Sequence, residues 1–293
     1  MNIDLKILLM LMFLPMCVGK RFNDVGEQRR RRGREYLKSF NVYALEGFPL
    51  VKAGDDVAGK IVDVYRENGL QVEDGDVIVV AQKIVSKAED RVVTLNGIVP
   101  SQEARKLAGL TGKSPRFVEL VLRETKRVLK ASLDILLVED KRGLVCISAG
   151  IDKSNVGGRG RYVLLPEDPD VSADRCRLRI RELTRKNVGV IVSDTYSRPF
   201  RRGQVNFAIG VSGVRIFKDY RGKKDLFGHV LKVKNVAVVD EIAAAAELLM
   251  GQAEEAVPVV VFKRLGHLAG VNGEQGVASL FISEKEDLFK GAL

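Results

Sequence analysis

The chain has 293 residues, 46% hydrophobic and 29% charged, with 28 Gly and 8 Pro, an ordinary soluble globular profile with length for one large domain or two interlocked ones. Three cysteines (Cys17, Cys146 and Cys176) are too few and too scattered for a disulfide framework, and two histidines (His229 and His267) exclude a His-rich zinc site. Any metal is therefore expected on oxygen, which suits Mg²⁺ or Mn²⁺. The net charge of +10 is uneven: residues 20–38 hold eight basic and three acidic side chains, half of the excess. The remaining body is only mildly basic, which favours an anionic small substrate over nucleic acid. There is no RNA-recognition signature and no zinc spacing, so nucleic acid is not an expected partner.

The first 40 residues read unlike the rest. Lys6 precedes an apolar run, 7–18, interrupted by Pro15. It is too short to span a bilayer as a helix, and the basic stretch behind it argues against export. Residues 1–40 are expected to be a dispensable extension of a cytoplasmic protein and the only segment suited to membrane contact. A folded domain is expected over 41–265, with residues 266–293 as a tail packing on or flanking it.

Within that domain, Val77-Ile78-Val79-Val80-Ala81 follows the turn Glu73-Asp74-Gly75-Asp76 and reads as a buried strand. Ser101 opens a helix to about residue 110. Ser114 followed by Pro115 starts another, expected to carry Phe117, Leu120, Val121, Val128 and Leu129 on one face. Residues 135–138 and 144–148 flank Lys141-Arg142-Gly143 as a hairpin. Asp170 or Ser172 caps a basic helix to about Lys186. Residues 188–192 form a buried strand, 242–250 an Ala-rich helix and 257–262 a last strand. The mixture lacks the alternation of a doubly wound sheet, so the class is α+β: mixed sheets with helices in two interlocked subdomains, neither a P-loop nor a Rossmann fold.

Gly112-Lys113-Ser114 imitates a phosphate-binding loop, but Leu107 stands where that motif needs Gly and Pro115 removes a donor. Gly157-Gly158-Arg159-Gly160 does not complete a dinucleotide fingerprint, because Tyr162 and Val163 follow. More suggestive are Asp152, soon after the strand ending at Ser148, and Asp194 with Thr195, just after the strand ending at Val192. Carboxylates and a hydroxyl at strand ends can hold Mg²⁺ or Mn²⁺ beside phosphates; such residues also serve as turn and cap groups. Gln82, Lys83 and Lys87, and Arg198, Phe200, Arg201, Arg202 and Gly203, supply cations for phosphate or carboxylate, or else solvated basic loops.

Seven segments recur together in one known family: Glu46-Gly47-Phe48-Pro49-Leu50, Ile84-Val85-Ser86-Lys87-Ala88-Glu89, Ala149-Gly150-Ile151-Asp152-x-Ser154-Asn155-Val156, Ser193-Asp194-Thr195, Arg202-Gly203-Gln204-x-Asn206-x-Ala208-Ile209-Gly210, Lys224-Asp225-Leu226-x-Gly228 and Asp240-Glu241-Ile242-Ala243-Ala244. Over residues 42–265 the chain resembles the archaeal-type coenzyme F420:L-glutamate ligases. The resemblance implies a GTP-dependent, amide-forming ligase that adds L-glutamate to F420-0 and then, by a γ-glutamyl bond, to F420-1. It also implies two divalent ions (Mg²⁺ or Mn²⁺), K⁺ as a further ion, and a homodimer. Its nucleotide positions fall on Phe48, Pro49, Leu50, Val51, Gln82, Lys83, Lys87 and Asn155, and on Met250, Gly251, Gln252, Ala253, Glu254, Glu255, Ala256 and Val257. Its metal positions fall on Asp152, Asp194, Thr195 and Gln252, where a related member has Glu; Asp152, Asp194 and Lys87 carry the catalytic role. Ser197 stands where members often have Gly. The alternatives are a GTP-dependent phosphotransferase that stops at a phosphorylated product, and a basic nucleic-acid-binding module.

Overall fold

The computed structural model describes residues 39–158, 160–269, 276–283 and 285–287. Backbone contacts divide the chain into residues 1–39 and 40–293. The expectations made for the extension, residues 1–40, fall almost wholly outside the described residues.

In chain order the elements are β1 (Asn41–Ala44), α1 (Val57–Glu67), β2 (Val77–Ala81), α2 (Gln82–Ala88), β3 (Val92–Thr94), α3 (Gln102–Thr111), α4 (Pro115–Glu124), β4 (Thr125–Ser132), β5 (Ile135–Asp140), β6 (Val145–Ile147), β7 (Arg161–Val163), α5 (Pro169–Thr184), β8 (Gly189–Ser197), β9 (Gln204–Ser212), β10 (Phe217–Asp219), β11 (Asn235–Ala237), α6 (Val238–Met250) and β12 (Val259–Lys263). The class is α+β with mixed sheets. The main sheet runs β1-β12-β2-β8-β9. Its pairs are antiparallel except β2 with β8, which are parallel.

Successive side chains of a strand point to opposite faces, and here both faces are covered. Ile78, Val80, Val190, Val192, Val259 and Val261 join α1 and α5 in one core. Val77, Val79, Ile191, Val260 and Phe262 join α6 in a second. Two-sided burial explains why these strands appear in the sequence as unbroken apolar runs. Between β2 and β8 the chain builds a smaller unit. Its core sets Ala104, Ala108, Val118 and Val121 of α3 and α4 against Leu136 and Val138 of β5, within the sheet β4-β5-β6. The tail reaches the main body through Val277, whose N–H donates to Asp170 Oδ2 at 3.0 Å.

Several local expectations are corrected. The helix begun at Pro115 ends at Glu124, and Val128 and Leu129 lie on β4. Thr125 Oγ1 donates to Val121 O at 2.7 Å and the backbone turns extended there. Val128 packs towards the core opposite Val138, and Leu129, left unpaired at a register shift between Val128 and Lys130, is exposed. The cap of α5 is Asp168, which accepts from Val171 N–H at 3.0 Å ahead of Pro169; Asp170 instead accepts from Val211 N–H at 2.7 Å. Gly112 is the left-handed residue that closes α3, at φ 68°, so the imitation phosphate loop is a helix C-terminus. No described helix is long and apolar enough to cross a membrane.

Candidate functional site

A cleft of about 930 Å³ opens where the ends of β2, β6, β8 and α6 converge. Several short segments bring side chains to it. β2 passes without a loop into α2, so Gln82, Lys83 and Lys87 follow the strand end directly. After β6, Ser148, Ala149 and Gly150 all take positive φ, at 52°, 54° and 69°. This strained turn leads into Asp152, whose backbone pairs with Val163. β8 and β9 bring Asp194, Thr195 and Asn206, and residues 250–257 form the wall between α6 and β12.

Every residue proposed for nucleotide or metal lines this one cleft: 48–51, Gln82, Lys83, Lys87, Asp152, Asn155, Asp194, Thr195 and 250–257. Phe48 and Val51 are also buried members of the main core, whereas Leu50 is 88% exposed. The second cationic group is not brought in. Arg198, Phe200, Arg201, Arg202 and Gly203 are not among the residues lining the cleft, and Phe200 is 73% exposed.

Asp194 lies inside β8, which continues to Ser197, and not past the end of a strand. The strand looked complete at Val192 because the apolar run stops there. A register shift between Val192 and Ser193 interrupts the pairing with β9, a bulge of the kind that re-aims side chains at sites.

The two carboxylates have opposite electrostatics. Burial would raise Asp152, but hydrogen bonds from Lys83 and Ser154 hold its carboxyl below the usual range. Lys83 Nζ lies 2.8 Å from its Oδ2, and Ser154 donates to it through Oγ at 2.6 Å and, to Oδ1, through N–H at 2.8 Å. Burial dominates at Asp194 and, with the Asp152 charge adding to it, pushes the carboxyl up to about 6, against the Thr195 N–H and Lys83. Lys87 is lowered by burial and then by Lys83; its ammonium donates to Asn155 O at 2.7 Å. Asn155 Nδ2 in turn donates to Ala253 O at 3.0 Å, bridging two walls of the cleft.

These donors fit a hard divalent cation. They are carboxylate, hydroxyl and amide oxygens, and Asp194 carries a destabilised negative charge that a cation would relieve. No cluster of three or more His, Cys, Asp or Glu able to hold a metal occurs among the described residues. A cation here would complete its shell with water and phosphate oxygens, as Mg²⁺ commonly does.

The sequence left four site residues unassigned. Ser154 joins Lys83 to Asp152, with Lys83 Nζ donating to its Oγ at 2.7 Å. Ser193 has a buried Oγ without a hydrogen-bond partner among the described residues. Asn206 Oδ1 accepts from Thr195 Oγ1 at 3.0 Å. Glu247 lines the cleft from α6. The first three stand inside the recurrent segments, which was the available signal; Glu247 sits in an Ala-rich helix with none.

The family model for F420-0:Gamma-glutamyl ligase matches residues 47–264. A coenzyme F420:L-glutamate ligase of Methanothermobacter thermautotrophicus is 44% identical over 253 residues, covering 86% of this chain and 99% of that protein. Proteins of the same name from Archaeoglobus fulgidus and Methanopyrus kandleri are 47% and 43% identical, covering 86% and 84% of this chain and 97% of each relative. This similarity spans all the segments that build the cleft, and the chain belongs to the F420-0:gamma-glutamyl ligase family.

Proposed function

We propose that the protein joins L-glutamate to the deazaflavin coenzyme F420-0, and then to F420-1 by a γ-glutamyl bond, using GTP. The observation that carries this reading is the convergence of Asp152, Asp194, Lys83, Lys87 and a polar amide–hydroxyl corner on one cleft in a chain so similar to coenzyme F420:L-glutamate ligases. GTP, Mg²⁺ or Mn²⁺, K⁺ and a homodimer belong to the same proposal.

A carboxylate does not react with an amine, because its leaving group is poor. Phosphoryl transfer removes the obstacle. An oxygen of the acceptor's carboxylate attacks the γ-phosphorus, GDP leaves, and an acyl phosphate forms. The glutamate α-amine then attacks the acyl carbon, phosphate leaves with the carboxylate oxygen it received, and the amine loses a proton. The protein's work is mainly positioning and charge neutralisation. Lys83 and Lys87 lie on one face of α2, four residues apart, and hold phosphate oxygens as point charges. Asn155 fixes the backbone on which Lys87 rests. Asp152, Asp194, Thr195 and Gln252 would hold the divalent cations. When bound, these supply Lewis-acid charge against the β- and γ-phosphates.

The test is isotopic. With heavy oxygen in the acceptor's carboxylate, one labelled oxygen should appear in the released phosphate. A phosphotransferase would instead retain the label in a stable phosphorylated product, and that result would replace this reading.

A further inference from the structure

Glu247 is a carboxylate in the cleft to which the reading above gives no role. Its Oε1 accepts from Gln252 Nε2 at 2.6 Å. Its Oε2 is buried and has no hydrogen-bond partner among the described residues. The same Gln252 nitrogen lies 2.9 Å from Thr195 Oγ1 and 3.5 Å from Asn206 Oδ1. Thr195 Oγ1 already donates to Asn206 Oδ1, so the close acceptors of the Gln252 amide are Thr195 Oγ1 and Glu247 Oε1, while Glu247 Oε2 goes without. The corner is rich in oxygen and short of positive charge.

A buried carboxylate oxygen without a partner is costly, and native structures seldom retain one without a water or ion. Among the described residues, Glu247 is paired with no lysine or arginine, and its one hydrogen bond is from Gln252. Thr195 and Gln252 alone would offer a doubly charged ion only neutral oxygens, a weak seat. One carboxylate beside them changes that.

We propose that Glu247 is the anionic ligand of the divalent cation held on the Thr195–Gln252 side of the cleft. The Gln252 amide turns over to present its oxygen, and Asn206 Oδ1 holds the Thr195 hydroxyl. Asp152 and Asp194 serve the other cation. This inference rests on the metal-dependent reading above and extends its ligand set from α6.

The experiment is a Mn²⁺ titration of the full chain with GTP present, followed by the paramagnetic resonance of free Mn²⁺ and corrected for GTP alone. The parent protein should take up two equivalents. Glu247→Gln, close in shape but neutral, should weaken one of them by roughly 10- to 100-fold and leave the other. Glu247→Asp, which keeps the charge, should recover part of the loss, and its circular dichroism should match the parent's. Two equivalents bound by Glu247→Gln as tightly as by the parent would overturn the role of Glu247 and leave the metal reading standing. So would a Glu247→Asp variant that is folded and no better than Glu247→Gln. No uptake by the parent beyond GTP alone would overturn both.

Discussion

Lys83 Nζ lies 2.8 Å from Asp152 Oδ2 and ties the first turn of α2 to the segment that follows β6. The pair is partly shielded, with the Lys83 side chain 21% exposed, and Ser154 bridges it. The lysine neutralises the carboxylate, so any cation or nucleotide bound here as proposed would have to compete with or rearrange this contact. That coupling and the neighbouring groups lead to five predictions.

Asp152→Asn and Asp194→Asn should each lower turnover by at least roughly 100-fold while leaving the circular dichroism unchanged. Both side chains serve the cleft more than the core. Rates near the parent's at low Mg²⁺ would remove the altered residue from the site.

Asp194 also predicts a pH dependence. Its carboxyl is raised from 3.8 to about 6 on folding, so the folded state holds the proton more tightly. The group therefore favours folding below about pH 4, and that contribution is lost as the pH rises through about 6. Asp194→Asn cannot ionise. In chelator, its unfolding free energy relative to the parent's, from denaturant unfolding, should rise between about pH 4 and pH 7 by an amount on the order of 2 kcal/mol. A constant difference across that range would contradict the burial argument.

Lys87→Ala should weaken GTP binding, and the loss should shrink for guanosine, which has no phosphates. Calorimetric titration of both ligands checks this. Equal weakening would mean that Lys87 acts through the backbone it holds at Asn155.

Asp140 is fully buried and is held by Arg142, with Nε at 2.7 Å, and by the N–H groups of Arg142 and Leu144, both at 2.9 Å. Arg142→Met leaves a buried carboxylate without its cation and should cost about 3 kcal/mol. Adding Asp140→Asn should restore part of this in a double-mutant cycle measured by denaturant unfolding.

Gly210 is required by a close approach. A Cβ there would meet the backbone carbonyl of Pro169, at the start of α5. Gly210→Ala should cost roughly 3 kcal/mol, seen as a lowered melting temperature. Gly109→Ala, with nothing within 4 Å of the added carbon, is the control.

How much of this was legible in the sequence depended on whether the cause was local. β2 was read from end to end because both its faces are buried and its residues form one apolar run. Gly112 could be dismissed as a phosphate-loop residue from its neighbours alone. Val128 and Leu129 were misplaced because they stand seven and eight residues after Val121, a spacing that also suits a helix. What settles them is pairing with β5, a contact across the hairpin. Asp194 was placed past its strand because β8 leaves the covered part of the sheet before it ends. Residues 48–51, 82–87, 152–155, 194–195 and 250–257 lie far apart in sequence. Periodicity contains no instruction to gather them; the family resemblance did, and the crossing of β2, β8 and α6 carries it out. Glu247 could not be found either way, since an acidic residue on an Ala-rich helix looks like a solvated one.

The most direct test of the central claim is to incubate the purified protein with F420-0, L-glutamate, Mn²⁺ and either GTP or ATP, and to read product masses. The account predicts, with GTP, products heavier by one and then two glutamyl residues, with GDP and phosphate released in step, and a slower reaction with ATP. A phosphorylated end product, no mass change, or a faster reaction with ATP would contradict it.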